Sequence, residues 1–153
     1  MKVLIEHFKP EYAPYFKSLN EAWLQEYFTV EDIDREVLGN PGKYILNDGG
    51  FILFALVKNE VVGCVAMKKV SETGFELTKM AVQKDKRGNG IGNELVRQAI
   101  FEGVLKKAKS IELYSQTELP NALHLYEKYG FVHTPMPKTI YKRSNVYMIL
   151  TIK

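Results

Sequence analysis

The sequence predicts an α/β (α+β) domain: a mixed, mostly antiparallel sheet of about seven strands flanked by four helices. Three observations predict it. Strand-like and helix-like segments alternate in the order βααβββαβαββ. Three strands in a row form a meander between residues 51 and 82, whereas the later strands are divided by helices and need crossovers. The chain has 153 residues, 46% hydrophobic and 25% charged, which suits a single globular domain over 1–153. A chain of this size buries roughly 70% of its unfolded surface and needs no disulfide or metal to hold it together.

The elements follow in order. Lys2 to Phe8 alternates weakly and reads as the first strand. Tyr12, Phe16, Leu19, Trp23 and Tyr27 recur at helical spacing, with Pro10 and Pro14 tolerable only near the first turn. Glu31 to Leu38 reads as a second helix, stopped by Gly39-Asn40-Pro41-Gly42. Phe51 to Val57 is an apolar strand, Asn59-Glu60 a hairpin turn without the Asn-Gly signature, and Val61 to Val70 the returning strand. Phe75 to Val82 follows. From Ile91, the residues Leu95, Val96, Ala99, Ile100 and Val104 mark a helix face. Ser110 to Ser115 alternates as a strand. Asn121 to Tyr129 is a helix closed by Gly130, and Phe131 to His133 and Val146 to Ile152 are the last strands.

Composition excludes several classes. A net charge of +3 is too weak to argue for nucleic acid, though it suits a polyanionic small molecule. No stretch approaches 18 apolar residues, and the N-terminus has no signal-peptide core, so the expected location is the cytoplasm, without a membrane partner. Cys64, the single cysteine, lies in an apolar run and reads as a small buried hydrophobe. Three scattered histidines (His7, His124, His133) give no metal-ligand spacing, so no metal is expected.

Residues 86–95 read KRGNGIGNEL, with Gly88, Gly90 and Gly92 at the head of a helix. Glycine costs roughly 1 kcal/mol against alanine inside a helix. No Lys-Ser or Lys-Thr follows, which excludes a Walker A loop, and the gaps do not fit G-x-G-x-x-G. Two readings remain: simple turn glycines, or a helix N-terminus whose bare N–H groups take a pyrophosphate.

Val82-x-x-x-x-Arg87-Gly88-x-Gly90-Ile91-Gly92-x-x-Leu95 resembles the acetyl-CoA signature of the Gcn5-related N-acetyltransferases (GNAT), whose core is Arg/Gln-x-x-Gly-x-Gly/Ala. About 35 residues on, Leu125-Tyr126-Glu127-Lys128-Tyr129-Gly130-Phe131 resembles the family's Leu-Tyr-Glu-Lys-x-Gly-Phe segment. The resemblance implies a GNAT-like acyl-CoA N-acyltransferase fold, splayed between the 75–82 and 110–115 strands. It implies acetyl-CoA as cosubstrate, paired with backbone groups of Met80, Ala81 and Val82. Arg87, Gly88, Asn89, Gly90, Ile91 and Gly92 would hold its pyrophosphate. The family often has an asparagine seven residues before the tyrosine. This chain has Leu119 there, and Asn121 either takes over the cofactor contact or hydrogen-bonds the start of its own helix.

Acetyl transfer needs a neutral amine, a donor for the developing oxyanion and a proton for the leaving thiolate. An alkylamine has a pKa of about 10.4, so about one part in a thousand is neutral at pH 7 and a base must act. The strand amides near Met80 suit the oxyanion. By the resemblance, Tyr126 is the general acid, Tyr129 a packing residue at a variable position, and Glu76 the general base, directly or through water. Glu21, Glu26 and Asp32, on or after the first helices, could attract a cationic amine or form a solvated face. The acceptor is a primary amine of a small molecule or a peptide. The irregular stretches 24–50 and 134–145, with Trp23, Tyr27, Tyr44 and Tyr141, would border it. The C-terminal strands could support a homodimer, though no residue requires one. The competing function is a non-catalytic acyl-CoA-binding sensor or interaction module of the same fold.

Overall fold

Phe51–Val57 is buried at every residue, because its two sides face two different cores. Leu53 joins one hydrophobic cluster, while Ile52 and Phe54 join the other. A strand covered on both faces reads as a continuous apolar run instead of an alternation. The computed structural model describes residues 1–138 and 142–153; Tyr141 lies outside the described residues.

Seven strands form one sheet: β1 (Leu4–His7), β2 (Phe51–Val57), β3 (Glu60–Lys69), β4 (Gly74–Val82), β5 (Ser110–Ser115), β6 (Val132–Thr134) and β7 (Val146–Thr151). Their spatial order is β1-β2-β3-β4-β5-β7-β6. Each neighbouring pair is antiparallel except β4 and β5. Helices α3 (Ile91–Leu105) and α4 (Pro120–Lys128) cover one face, over Leu53, Met67, Leu77, Ile111 and Met148. Helices α1 (Ala13–Tyr27) and α2 (Asp32–Gly39), with a π-helical turn Gly42–Leu46, cover the other, over Ile52, Phe54, Leu56 and Ala66. The expected element order and mixed sheet are therefore present.

Three local expectations are corrected. The β2–β3 turn is centred on Lys58 and Asn59, one residue earlier than expected, with φ of 51° and 69°. A two-residue hairpin needs both central residues left-handed to match strand twist, and Asn tolerates that conformation. The buried stripe of α1 is Phe16, Asn20 and Leu24, whereas Tyr27 is 44% exposed. Asn20 fits there because its Nδ2 donates to the Phe16 carbonyl at 2.9 Å and to Cys64 Sγ at 3.3 Å. The turn Gly42–Leu46 was not expected at all, since a wide π turn has no distinct apolar period.

The most consequential irregularity is in β4. Cys64 pairs with Ala81 and Ala66 with Thr78, so Lys79 and Met80 together oppose Val65. This β-bulge puts Lys79 at φ 55°. Phe75 and Leu77 point to the α3/α4 core. Strict alternation would send Lys79 the same way. The extra residue turns it instead toward α2, and Ala81 then joins the α1/α2 core.

Candidate active site

β4 and β5 pair over only three positions: Gly74 with Ser110, Phe75 with Ile111 and Glu76 with Glu112. Beyond Glu76 the two strands part, because β5 stays on β7 through Ser115 while β4 stays on β3 through Val82. The parting opens a groove of 590 Å³ through the sheet. Glu76, Met80, Ala81, Val82, Arg87, Gly88, Gly90, Ile91, Gly92, Asn121 and Tyr126 all line it. Residues spread over fifty positions of chain thus meet in one place.

On the α3/α4 side, the glycine loop meets the groove. Gly88 and Gly90 have φ of 81° and 80°, and a Cβ built on either meets nothing within 4 Å. These glycines answer a backbone requirement and leave open space in front of them. Gly90 is the N-cap of α3 and no side chain caps the helix, so its first-turn N–H groups face outward, as an anion site requires. The arrangement fits the pyrophosphate of coenzyme A.

Two of the residues expected to meet the cosubstrate also bond within the protein. Asn89 does not line the groove; its Nδ2 donates to the carbonyls of Lys86 and Arg87 and holds the loop in shape. The Ala81 N–H bonds Cys64 on the β3 side. Backbone groups alternate along a strand, so Met80 and Val82 present theirs to the β5 side. The Val82 carbonyl already accepts Arg87 Nε at 3.0 Å. Arg87 Nη1 also reaches Glu26 at 3.1 Å and the Tyr27 hydroxyl at 3.4 Å, which joins the loop to the end of α1. No side chain caps α4, whose N-cap is Leu119.

Tyr126 comes up from α4, 7% exposed, with its ring edge-on to Phe131 at 5.9 Å between centroids. Burial pushes its hydroxyl up to about 12, so it holds its proton at neutral pH. The Tyr129 hydroxyl donates to Asn93 Oδ1 at 2.8 Å and ties α4 to α3. Glu76 is 6% exposed, at the vertex where the strands part, with Phe75 and Leu77 on the opposite face.

The α1/α2 side carries a charged cluster that sequence reasoning missed. Lys79 Nζ donates to Asp34 Oδ1 at 2.7 Å. Arg143 donates to both Asp34 oxygens, at 2.8 and 3.0 Å, and to Glu31 Oε2 at 2.9 Å. Asp34 is 0% exposed and accepts the Glu31 N–H in a capping box at the start of α2. Burial pushes the Asp34 carboxyl up, but Arg143 and Lys79 outweigh it and hold the group down at about 2. Burial lowers the Lys79 ammonium from its ordinary value against the pull of Asp34. The visible signal in the sequence is Lys79 at a position of β4 where the alternation of Phe75 and Leu77 calls for an apolar residue.

Of the two readings of Glu21, Glu26 and Asp32, attraction of an amine or a solvated face, the structure favours the second, since none of the three lines the groove. Glu26 binds Arg87. Asp32 pairs with Arg35 in solvent. His133 binds Glu127 at the surface. Cys64 is fully buried, and burial pushes its thiol up to about 12. Among the described residues no group of His, Cys, Asp or Glu could hold a metal, and no helix is long and apolar enough to cross a membrane.

A family profile described as an acetyltransferase (GNAT) domain matches residues 48–133. An uncharacterized N-acetyltransferase of Schizosaccharomyces pombe is 30% identical over 84% of this chain and 85% of its own length. The human N-alpha-acetyltransferase 30 is 32% identical over 59% of this chain, which spans only 26% of that protein. A GNAT acetyltransferase structure from Staphylococcus aureus superposes with a TM-score of 0.89 at 19% identity, over 99% of this chain and 100% of that one. With the splayed sheet and glycine loop, these likenesses place the chain in the GNAT family, as an N-acetyltransferase that uses acetyl-CoA.

Proposed function

We propose that the chain acetylates a primary amine by direct attack in a ternary complex, with Glu76 as general base and Tyr126 as general acid. The observation that supports it best is the groove itself. It opens on both faces of the sheet, with the glycine loop and Tyr126 on one side and Glu76 at the vertex toward the other. Acetyl-CoA supplies the thioester carbonyl. Residues 87, 88 and 90–92 hold its pyrophosphate, and Met80 and Val82 offer backbone groups to its pantetheine arm. The amine nitrogen bonds to the carbonyl carbon and the carbon–sulfur bond breaks. Glu76 takes the amine proton, directly or through water. The sulfur takes its proton from Tyr126, whose hydroxyl stays protonated in its buried site. Asn121 borders the groove at the start of α4 and is a further candidate for the cosubstrate.

The first test is thermal unfolding with acetyl-CoA, coenzyme A and ATP. At about 100 times its dissociation constant a specific ligand adds about 2.7 kcal/mol. A shift with both coenzyme A forms and none with ATP supports the reading; no shift with coenzyme A overturns it. Release of free thiol from acetyl-CoA on addition of amines then reports turnover.

A further inference from the structure

The far mouth of the groove, on the α1/α2 side, has a chemical character that selects the acceptor. One wall is apolar and aromatic. Leu24 is buried, and Trp23 and Phe28 pack on each other with ring centroids 5.8 Å apart. All three line the groove. Two cations, Lys79 and Arg143, also line the groove, and both are engaged by carboxylates. Lys79 binds Asp34, while Arg143 binds Asp34 and Glu31 and lies over the Phe28 ring at 6.0 Å. Asp34 and Glu31 together thus face both cations, and the Glu76 carboxyl lies beside them at the vertex.

Each feature limits the acceptor. A cationic amine is drawn toward Glu76. Its neighbouring arm lies on Trp23, Leu24 and Phe28, where apolar surface leaves water. A carboxylate beside the amine would meet cations already engaged by Asp34 and Glu31 at 2.7 to 3.0 Å, and would sit near Glu76. A second ammonium would lose hydration against the apolar wall and meet Lys79 and Arg143.

Building on the acetyltransferase reading above, we infer that the acceptor is a primary amine on an apolar or aromatic arm with no carboxylate beside it. An arylalkylamine and the first residue of a peptide share this chemistry, since in a peptide the neighbouring carbonyl is an amide.

The experiment uses the whole chain and acetyl-CoA with five acceptors: phenethylamine, phenylalanine amide, a hexapeptide beginning with phenylalanine, free phenylalanine and spermidine. Phenylalanine amide is expected to exceed free phenylalanine and spermidine in kcat/KM by at least about tenfold, the scale on which a pocket discriminates. One of phenethylamine and the hexapeptide is expected to match it, which tells a free amine from a chain terminus. Phe28→Ala should raise the KM for phenylalanine amide severalfold and leave the KM for acetyl-CoA in place, with the acetyl-CoA thermal shift as the check on folding. Equal or faster turnover of free phenylalanine or spermidine overturns the acceptor class and leaves the acetyltransferase reading standing. Acetyl-CoA binding without turnover of any of the five also overturns the class. Failure to bind acetyl-CoA overturns the reading beneath it.

Discussion

Lys79 Nζ sits 2.7 Å from Asp34 Oδ1, with the two side chains 4% and 0% exposed, across 45 residues of chain. The contact fastens the bulge of β4 to α2, and Arg143 fastens the segment before β7 to the same carboxylate. The shape of the groove on its α1/α2 side depends on this one aspartate. Asp34→Asn leaves the buried Lys79 and the partly buried Arg143 without their shared anion. Breaking a buried pair typically costs about 3–5 kcal/mol, so a loss of about 3 kcal/mol is expected in urea unfolding. Replacing Asp34 and Lys79 together by Leu and Met should cost less than Asp34→Asn alone.

Acid titration provides an independent check on the same group. The Asp34 carboxyl is held at about 2 in the folded chain against 3.8 ordinarily. Its contribution is complete above the unfolded value. As pH falls from about 4 toward 2 the unfolded chain takes the proton first and stability drops, by about 2 kcal/mol for this group. Asp34→Asn should therefore unfold at lower urea at pH 7 yet show a flatter loss across that acid range. An acid limb as steep as that of the parent chain would contradict the assignment.

Gly90→Ala separates backbone demand from ligand space. The new Cβ meets no protein atom within 4 Å, so its effect on the free chain is the left-handed φ of 80° alone, about 1–2 kcal/mol. Loss of acetyl-CoA affinity, measured by calorimetry on the folded variant, is expected in addition, because the methyl group enters the space in front of the loop. Unchanged affinity would reduce Gly90 to a turn residue.

Tyr126→Phe keeps the ring against Phe131 and removes the proton. The variant should bind acetyl-CoA normally and fall about 100-fold in kcat, the lower range for a general acid. An unchanged kcat would mean the sulfur finds its proton elsewhere.

Glu76→Gln should lower kcat/KM by about 100-fold at pH 7. The deficit should shrink toward pH 10, where an amine of pKa about 10.4 supplies its own neutral form. A deficit constant with pH would indicate a positioning role for Glu76 instead of proton removal.

Local chemistry by itself determined the element order, the meander, the glycine loop before α3 and the helix carrying Tyr126. Periods of 2 and 3.6, turn residues and left-handed glycines are all written within a few neighbours of one another. The glycine and tyrosine motifs were legible because each is a contiguous stretch. Only the tertiary structure decided what the groove's walls are made of. Glu76 is buried because it is the last residue of β4 flanked on both sides, by Lys68 of β3 and Glu112 of β5. Lys79 faces α2 because one extra residue in β4 reverses its side, a slip that no local pattern announces. Asp34 finds Arg143 across 109 residues, and the Ala81 N–H is turned to Cys64 of β3. Burial and hydrogen-bond partnership come from parts of the chain distant in sequence, so these contacts exist only once the sheet is assembled.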